Sequence, residues 1–398
     1  MDRIVACYRV RSEPGRIEAR ARALALEQSI EMPLEAVADS FVRGEVVARV
    51  ESIVPVRSAE DAERRFEVRL SLSLQSTGPE AGQLLNMLFG NCSLQPDVEL
   101  VDIEPPAALL AAMPGPRFGA GGWRAALGLD PAAVPRALTC TALKPQGLAP
   151  EHLAELAAVF AQSGIDVIKD DHGIADQGYA PFARRVPAVQ RAVERAASMR
   201  ETPGRALYAP TLSGGPRRIA EQLRIVHGEG VGAVLVCPMI CGVPALVEQV
   251  RAEAGVPIIA HPAMAGSLRI APALLLGRLF RLFGADATIF PNYGGRFSYD
   301  LVTCRAIAQR AREVIDGVRA TLPVPAGGMS VERVEEMVRE FGTDVMLLIG
   351  GNLLMATATQ GETVADRARA FVRRVQVAAS SIDAGDAARP SRLSREPT

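Results

Sequence analysis

From residue 137 to residue 351 one unit recurs eight times: a short, β-prone apolar run that ends in polar or glycine residues, then a helical stretch. The runs are ALTCTALKP (137–145), IDVIKDD (165–171), ALYAPTL (206–212), AVLVCPM (233–239), PIIAHPA (257–263), DATIFPN (286–292), PVPAGG (323–328) and DVMLLIGG (344–351). Between them lie segments such as PEHLAELAAVFAQSG and SVERVEEMVREFG, apolar at three- and four-residue steps and closed by a glycine where a helix would be capped. Strand then helix, eight times over roughly 250 residues, is the arithmetic of a (β/α)8 barrel. An open doubly wound sheet is the alternative, and it lacks its usual mark, a G-x-G-x-x-G after an early strand. The fold expected is α/β, with a (β/α)8 TIM barrel over residues 126–380.

Residues 1–125 read differently. IVACYRV, VVARVESIVPV and RRFEVRLSLSL alternate as antiparallel strands do, and RIEARARALALEQS and EAGQLLNMLFGN read as helices. This predicts a separate α+β domain, joined to the barrel through a Pro- and Gly-rich linker at 105–135. Residues 381–398 are nearly devoid of apolar side chains towards their end and are expected to form a disordered tail. A chain of 398 residues suits two such domains. A net charge of −1 offers no case for nucleic acid or a membrane surface. No apolar run approaches the roughly 18 residues that span a bilayer. The opening MDRIVACYRV carries charges and no secretory core. The six cysteines are scattered, and Cys140 and Cys237 sit inside apolar runs, which suits reduced thiols and a cytoplasmic location. Cys237 and Cys241 lack the second pair that a zinc site needs.

In such barrels, chemistry gathers at the C-terminal ends of the strands. The first strand ends in Lys144, the second in Lys169, Asp170, Asp171 and His172, and the fifth in His261. The sixth runs into FPNYGGRF, with Asn292 and Arg296; the seventh ends in Gly327 and Gly328, and the eighth in Gly350 and Gly351. Two of the four histidines occupy these places. Side chains alternate along a strand, so Lys169 and Asp171 share one face while Asp170 turns to the other, to a structural salt bridge or a helix cap. Two adjacent glycine pairs make concave clusters of backbone N–H groups, the usual phosphate grip of this fold. Together these ends offer ligands for a divalent cation, a nearby amine and a phosphate cradle.

The same segments resemble those of the ribulose-bisphosphate carboxylase/oxygenase (RuBisCO) large-chain superfamily. GIDVIKDD is similar to its metal-site strand and YAPFARR to the helix that follows. TCTALKPQGL resembles the strand that carries a catalytic Lys-Pro. NMLFGNCSL and ALEQSIE resemble the N-domain segments that bear Asn91 and Glu27, and PAGGM and IGG its phosphate loops. The resemblance runs in order from about residue 5 to 375. It implies a ferredoxin-like N-terminal domain before the barrel. It also implies a homodimer, with possible higher assemblies of dimers, in which Glu27 and Asn91 complete the partner's site. It implies that Lys169 takes up CO2 as a carbamate and, with Asp171 and His172, holds Mg2+.

Departures separate the chain from the carbon-fixing members. Gln146 stands where they carry a second lysine, Pro262 where an arginine holds the second phosphate, and Ala265 where a further histidine lies. No lysine is evident in the loop after the sixth strand, which offers Arg296, and the segment after Glu27 has no Trp. His172 replaces the usual glutamate, and imidazole admits Mn2+ or another divalent metal more readily than Mg2+. The pattern resembles a RuBisCO-like protein of the form IV type that does not fix carbon. The expected chemistry is metal-assisted enolate formation on a phosphorylated keto-sugar or keto-acid. Lys144 is the expected acid/base, His261 a hydrogen-bonding or shuttling group, and Gly327, Gly328, Gly350 and Gly351 the phosphate grip. Arg296, read as a carboxylate partner, favours decarboxylation or transcarboxylation of a 3-oxo-sugar-acid phosphate of apiose breakdown. The alternatives are a 5-methylthioribulose-1-phosphate isomerase or enolase of methionine salvage, and a barrel that has lost catalysis and only binds or regulates.

Overall fold

The computed structural model describes residues 2–56, 64–200, 202–297, 299–355 and 361–387. The first domain runs strand, helix, two strands, helix, strand. Strands β1 (Arg3–Arg11), β2 (Arg49–Pro55), β3 (Arg65–Ser73) and β4 (Val98–Glu104) form one antiparallel sheet in the order β2-β3-β1-β4. With helices Ile17–Glu27 and Ala81–Phe89 this is the ferredoxin-like arrangement. Alternation places Ile4, Ala6, Tyr8 and Val10 in the core. The Tyr8 hydroxyl donates to the Leu88 carbonyl at 2.6 Å and ties the sheet to the second helix. That helix starts where the Glu80 carboxylate accepts from the Gly82 and Gln83 N–H groups at 2.7 and 2.6 Å.

Eight parallel strand positions follow, buried but for the last residues of two of them, Pro291 and Ala326: β5 (Leu138–Leu143), β6 (Val167–Asp170), β7 and β8 (Leu207–Ala209 and Thr211–Leu212), β9 (Val234–Val236), β10 (Ile258–Ala260), β11 (Ala287–Pro291), β12 (Leu322–Ala326) and β13 (Met346–Leu348). The run expected at 206–212 is one strand in path but two in pairing. It breaks at Pro210, so that β7 pairs with β6 and β8 with β9. The ladders read β13-β5-β6-β7 and β8-β9-β10-β11-β12. The remaining seam, between β12 and β13, has a cause in the sequence LPVPA. The Leu322 N–H turns towards β11, donating to Asp286 at 3.0 Å, so Pro323 and Pro325 face the other way and have no N–H to offer β13.

Inward-facing side chains of these strands fill the barrel with a core of their own, including Cys140, Val167, Leu235, Ile259, Ile289, Val324 and Met346. The only tryptophan, Trp123, belongs to this core and is fully buried. It lies on helix Gly119–Ala126, which plugs the barrel's N-terminal end. Burying an indole of 150–250 Å2 is worth up to about 4–6 kcal/mol. The boundary expected at 125/126 therefore cuts through a helix whose packing ties it to the barrel. At the other end, helix Val364–Ala387 continues through residues 381–387, which were expected to be disordered; 388–398 lie outside the described residues. Among the described residues no helix is long and apolar enough to cross a membrane.

The two domains meet along β4. Leu100 donates to the Arg269 carbonyl at 3.0 Å and accepts from the Ala271 N–H at 2.8 Å. Asp102 accepts from Arg278 at 3.0 Å and from Arg310, and Glu313 accepts from the same two guanidiniums at 2.7 and 2.9 Å.

The base of β6 holds a second buried charge cluster. Asp166 accepts two bonds from Arg136 (2.7 and 2.8 Å), one from Arg200 (3.1 Å) and two from Thr139, through N–H (2.9 Å) and hydroxyl (3.0 Å). Burial alone would raise the Asp166 pKa; the guanidiniums and the Thr139 N–H outweigh it and hold it below the ordinary carboxylate range. A depressed folded pKa means that this stabilisation is complete above about pH 4, the unfolded value, and is lost as pH falls through the folded one. Asp166→Asn is expected to lower unfolding free energy by about 3–5 kcal/mol at pH 7 and to weaken its dependence on acid. Denaturant titrations of both proteins from pH 7 to pH 3 measure this; equal midpoints at pH 7 would show the cluster to be energetically idle.

Candidate active site

β6 decides the layout of the barrel mouth. Asp170 points outward and is completely buried. It accepts from the Arg185 guanidinium at 3.1 Å, the Tyr208 hydroxyl at 2.8 Å and the Thr211 N–H at 3.1 Å. Arg185 is itself pinned by the carbonyls of Ala175 and Ala180 at 2.8 and 2.6 Å. This is the structural salt bridge, not a helix cap. With Asp170 fixed outward, Lys169 and Asp171 face the mouth.

Lys169 is buried, and its amine donates to the Asp170 carbonyl at 2.7 Å. Burial lowers its pKa first of all, and the nearby Lys144 adds to this against the pull of Asp171. The thiols nearest to it, Cys140 and Cys237, are themselves pushed up to about 12 by burial and supply no counter-charge at neutral pH. Lys144 reaches across from the end of β5 to Asp171, with Nζ 2.5 Å from Oδ1. Burial would raise the Asp171 pKa, but the nearby His172 ring and the Lys144 amine bonded to it hold it well below the usual carboxylate range. His172 Nδ1 lies 3.7 Å from the same oxygen. Its ring stacks on His261, with centroids 4.2 Å apart and planes 13° from parallel. His261 Nδ1 accepts from the Ala263 N–H at 3.2 Å, so the neutral ring carries its proton on Nε2. Burial first, and then the neighbouring Lys169 amine, keep His261 far below the ordinary imidazole range.

Lys144, Lys169, Asp171, His172 and His261 thus form one cluster. Gly350 joins it, because a Cβ there would lie 3.6 Å from Lys144 Cε; Gly351 opens a short helix, Gly351–Leu354, with open space beside it. Gly327 and Gly328, with φ of +75° and +74°, make the turn after β12, and the loop carrying Arg296 packs directly on it. The Arg296 guanidinium lies 5.1 Å from the Phe297 ring centroid. Glu27 and Asn91 stand apart, at the C-terminal ends of the two N-domain helices. There Asn91 Nδ2 donates to Glu27 Oε1 at 3.0 Å, and neither bonds to the barrel's strand-end groups among the described residues. One detail differs from the sequence reading. Asn292 turns away from the mouth, its amide nitrogen 3.1 Å from the sulfurs of both Met329 and Met337. Gly173 lies against the Gln146 amide, which a Cβ there would meet at 1.9 Å and push aside. Sequence reasoning missed Tyr208 and the role of Arg185, although Arg185 lies in the YAPFARR segment already singled out.

As a cation site the donor set is short. Among the described residues no three His, Cys, Asp or Glu side chains converge on one point. Asp171 supplies one carboxylate and His172 an imidazole. The missing anionic oxygen is one that the buried, deprotonation-prone amine of Lys169 can gain by reaction with CO2, and on that condition the residues fit a divalent cation.

A profile of the ribulose bisphosphate carboxylase large chain, catalytic domain, matches residues 129–294. The ribulose bisphosphate carboxylase-like protein 1 of Rhodopseudomonas palustris is 52% identical over 375 residues, 94% of this chain and 98% of its own. The 5-methylthioribulose-1-phosphate isomerase of Rhodospirillum rubrum is 50% identical over 379 residues, 95% of this chain and 98% of its own. A crystal structure of a Rubisco-like protein from Rhodopseudomonas palustris superposes with a TM-score of 0.84 at 48% identity, covering 94% of this chain and 98% of that one.

Proposed function

The chain belongs to the RuBisCO-like proteins of the RuBisCO large-chain superfamily, and on that premise we propose that it isomerises a phosphorylated keto-sugar, 5-methylthioribulose 1-phosphate, through an enediolate. The observation that carries this reading is the pair of lysines in unlike surroundings on either side of Asp171: one buried and pushed towards the free amine, the other ion-paired at the mouth. Groups held in such contrast are how one site both takes and returns a proton. The half-identical relative named for this isomerase moves the reading from the sugar-acid decarboxylase to the methylthio-sugar alternative. Arg296 lies against Phe297, and among the described residues no contact assigns it to a carboxylate.

In this mechanism the glycine turns at 327–328 and 350–351 hold the phosphate through backbone N–H groups. His261, neutral and protonated on Nε2, donates to a substrate oxygen. The base, Lys169 or its carbamate, removes the proton next to the carbonyl, and Lys144 returns a proton at the neighbouring carbon. Asp171, His172 and a carbamylated Lys169 would hold a divalent cation, which would supply Lewis-acid polarisation of the carbonyl. Glu27 and Asn91 act in the partner's site. The hydrogen bonds and ion pairs along β4 hold the N-domain edge that presents them in one pose, and exposed Leu94 beside Asn91 offers apolar surface to a second copy.

The activity test is 1H and 31P NMR of 5-methylthioribulose 1-phosphate with enzyme in deuterated water. Isomer formation with the proton relocated or exchanged is expected, and an unchanged spectrum refutes the reading. Calorimetric Mg2+ and Mn2+ titrations with and without bicarbonate should show tighter binding with bicarbonate, lost in Lys169→Ala; His172→Glu should bind and shift preference to Mg2+. Activity that survives exhaustive chelation would make Lys169 a plain catalytic lysine. Asn91→Ala and Lys144→Ala proteins, each inactive, should regain up to about a quarter of the activity when subunits exchange, since half the dimers are hybrids with one intact site. No recovery after proven exchange rules out shared sites.

A further inference from the structure

The turn after β12 and the loop after β11 touch at their backbones. A Cβ on Gly328 would lie 2.1 Å from the Gly295 Cα, and one on Gly295 would lie 2.6 Å from the Gly327 carbonyl oxygen. Nothing but glycine fits on either side of this contact. The loops are joined at their base, where the Asn292 N–H donates to the Ala326 carbonyl at 2.7 Å, and the Phe297 ring lies where a Cβ on Gly327 would meet it at 2.9 Å; beyond these contacts one side chain bonds to both loops. Arg333, on the 310 turn Val331–Arg333 that follows, donates from Nη1 to the Tyr293 carbonyl at 3.1 Å, on the β11 loop, and to the Gly328 carbonyl at 3.4 Å, on the β12 turn. Its guanidinium lies 4.9 Å from the Tyr293 ring centroid, and a Cβ on Gly294 would come within 3.1 Å of Nη1.

The guanidinium is braced from behind. Nε and Nη2 donate to the two oxygens of Glu336 at 2.9 and 3.0 Å, a bidentate fork, and the Tyr293 hydroxyl donates to the same carboxylate at 2.5 Å. Hydrogen bonds from Arg333 and Tyr293 hold the Glu336 carboxyl down to about 2, so the brace is charged across the neutral range. Arg333 commits four of its five N–H donors to Glu336 and the two carbonyls, and its charge is matched by the Glu336 carboxylate. Its contacts set the distance between two loops.

We propose that Arg333 is a positioning residue: it staples the loop 293–297 to the Gly327–Gly328 turn and so fixes the backbone N–H groups that take the substrate's phosphate. This rests on the reading of that glycine turn as a phosphate grip. The phosphate is bound alike in ground and transition states, so loss of the staple raises KM and spares kcat.

The test uses the full-length protein and two probes: inorganic phosphate by titration calorimetry, which needs no turnover, and 5-methylthioribulose 1-phosphate in steady state. Arg333→Met is expected to lower phosphate affinity and raise KM by about tenfold or more, with kcat within about twofold. Arg333→Lys should not restore either, because one ammonium cannot serve the carboxylate fork and two carbonyls together. Glu336→Gln and Tyr293→Phe, which loosen the brace without touching the staple, should move both readings the same way by less, and they carry the test if Arg333→Met does not fold. Gly327→Ala serves as the control for the grip. If it abolishes phosphate binding while the Arg333, Glu336 and Tyr293 variants bind like wild type, the staple is overturned and the grip stands. If Gly327→Ala also binds phosphate like wild type, the grip reading fails and the staple with it.

Discussion

The mouth of this barrel depends on Asp170 being held outward. A regular strand alternates its side chains, so the anchoring of one residue decides the direction of its neighbours. Asp170 is buried, and a carboxylate there is tolerable only because Arg185, Tyr208 and the Thr211 N–H all donate to it. A slip of one residue would bury Lys169 and Asp171 in the helical layer and put Asp170 in the mouth. It would also strand Arg185 without its partner. The pair thus works as a register pin more than as a source of stability, and every distance at Lys144, Asp171 and His172 is measured from it.

Much of this was legible in the sequence because its signals are contrasts. Eight apolar runs that end in polar or glycine residues stand out against amphipathic helices, and Lys169, Asp171 and His172 stand out against the valines and isoleucines before them. The antiparallel strands of the N-terminal domain were legible through alternation in β1 and β3, and its ferredoxin-like order through the family resemblance. Buried arginines are a different matter. Arg185 and Arg200 look like any exposed arginine in the sequence, and only tertiary contacts reveal that they hold Asp170 and Asp166. Prolines were hard to place for the opposite reason. Pro210, Pro323 and Pro325 lie inside runs that are β-prone overall, and their effect, a missing donor on one side, appears only once neighbouring strands are known. Asn292 misled because its place at a strand end was right while its direction was not.

The division of labour between the domains follows from where each helix stops. Both N-domain helices end at one edge, and this alone brings Glu27 and Asn91 within hydrogen-bonding distance although 64 residues separate them. That edge keeps a fixed aspect towards the barrel through the pairing of Leu100 with the 269–271 segment and the four-membered cluster of Asp102, Arg278, Arg310 and Glu313. A cluster that shares two carboxylates between two guanidiniums resists twisting better than isolated pairs do, because no single rotamer change releases it.

Trp123 has a consequence of an optical kind. It is the sole indole of the chain, and it is sealed at the end of the barrel opposite Lys169. Its fluorescence therefore reports the closure of the barrel's floor and is blind to ordinary traffic at the mouth. A blue-shifted emission that survives while the N-terminal domain melts would expose the order in which the two units come apart, with no label to attach and no residue to replace.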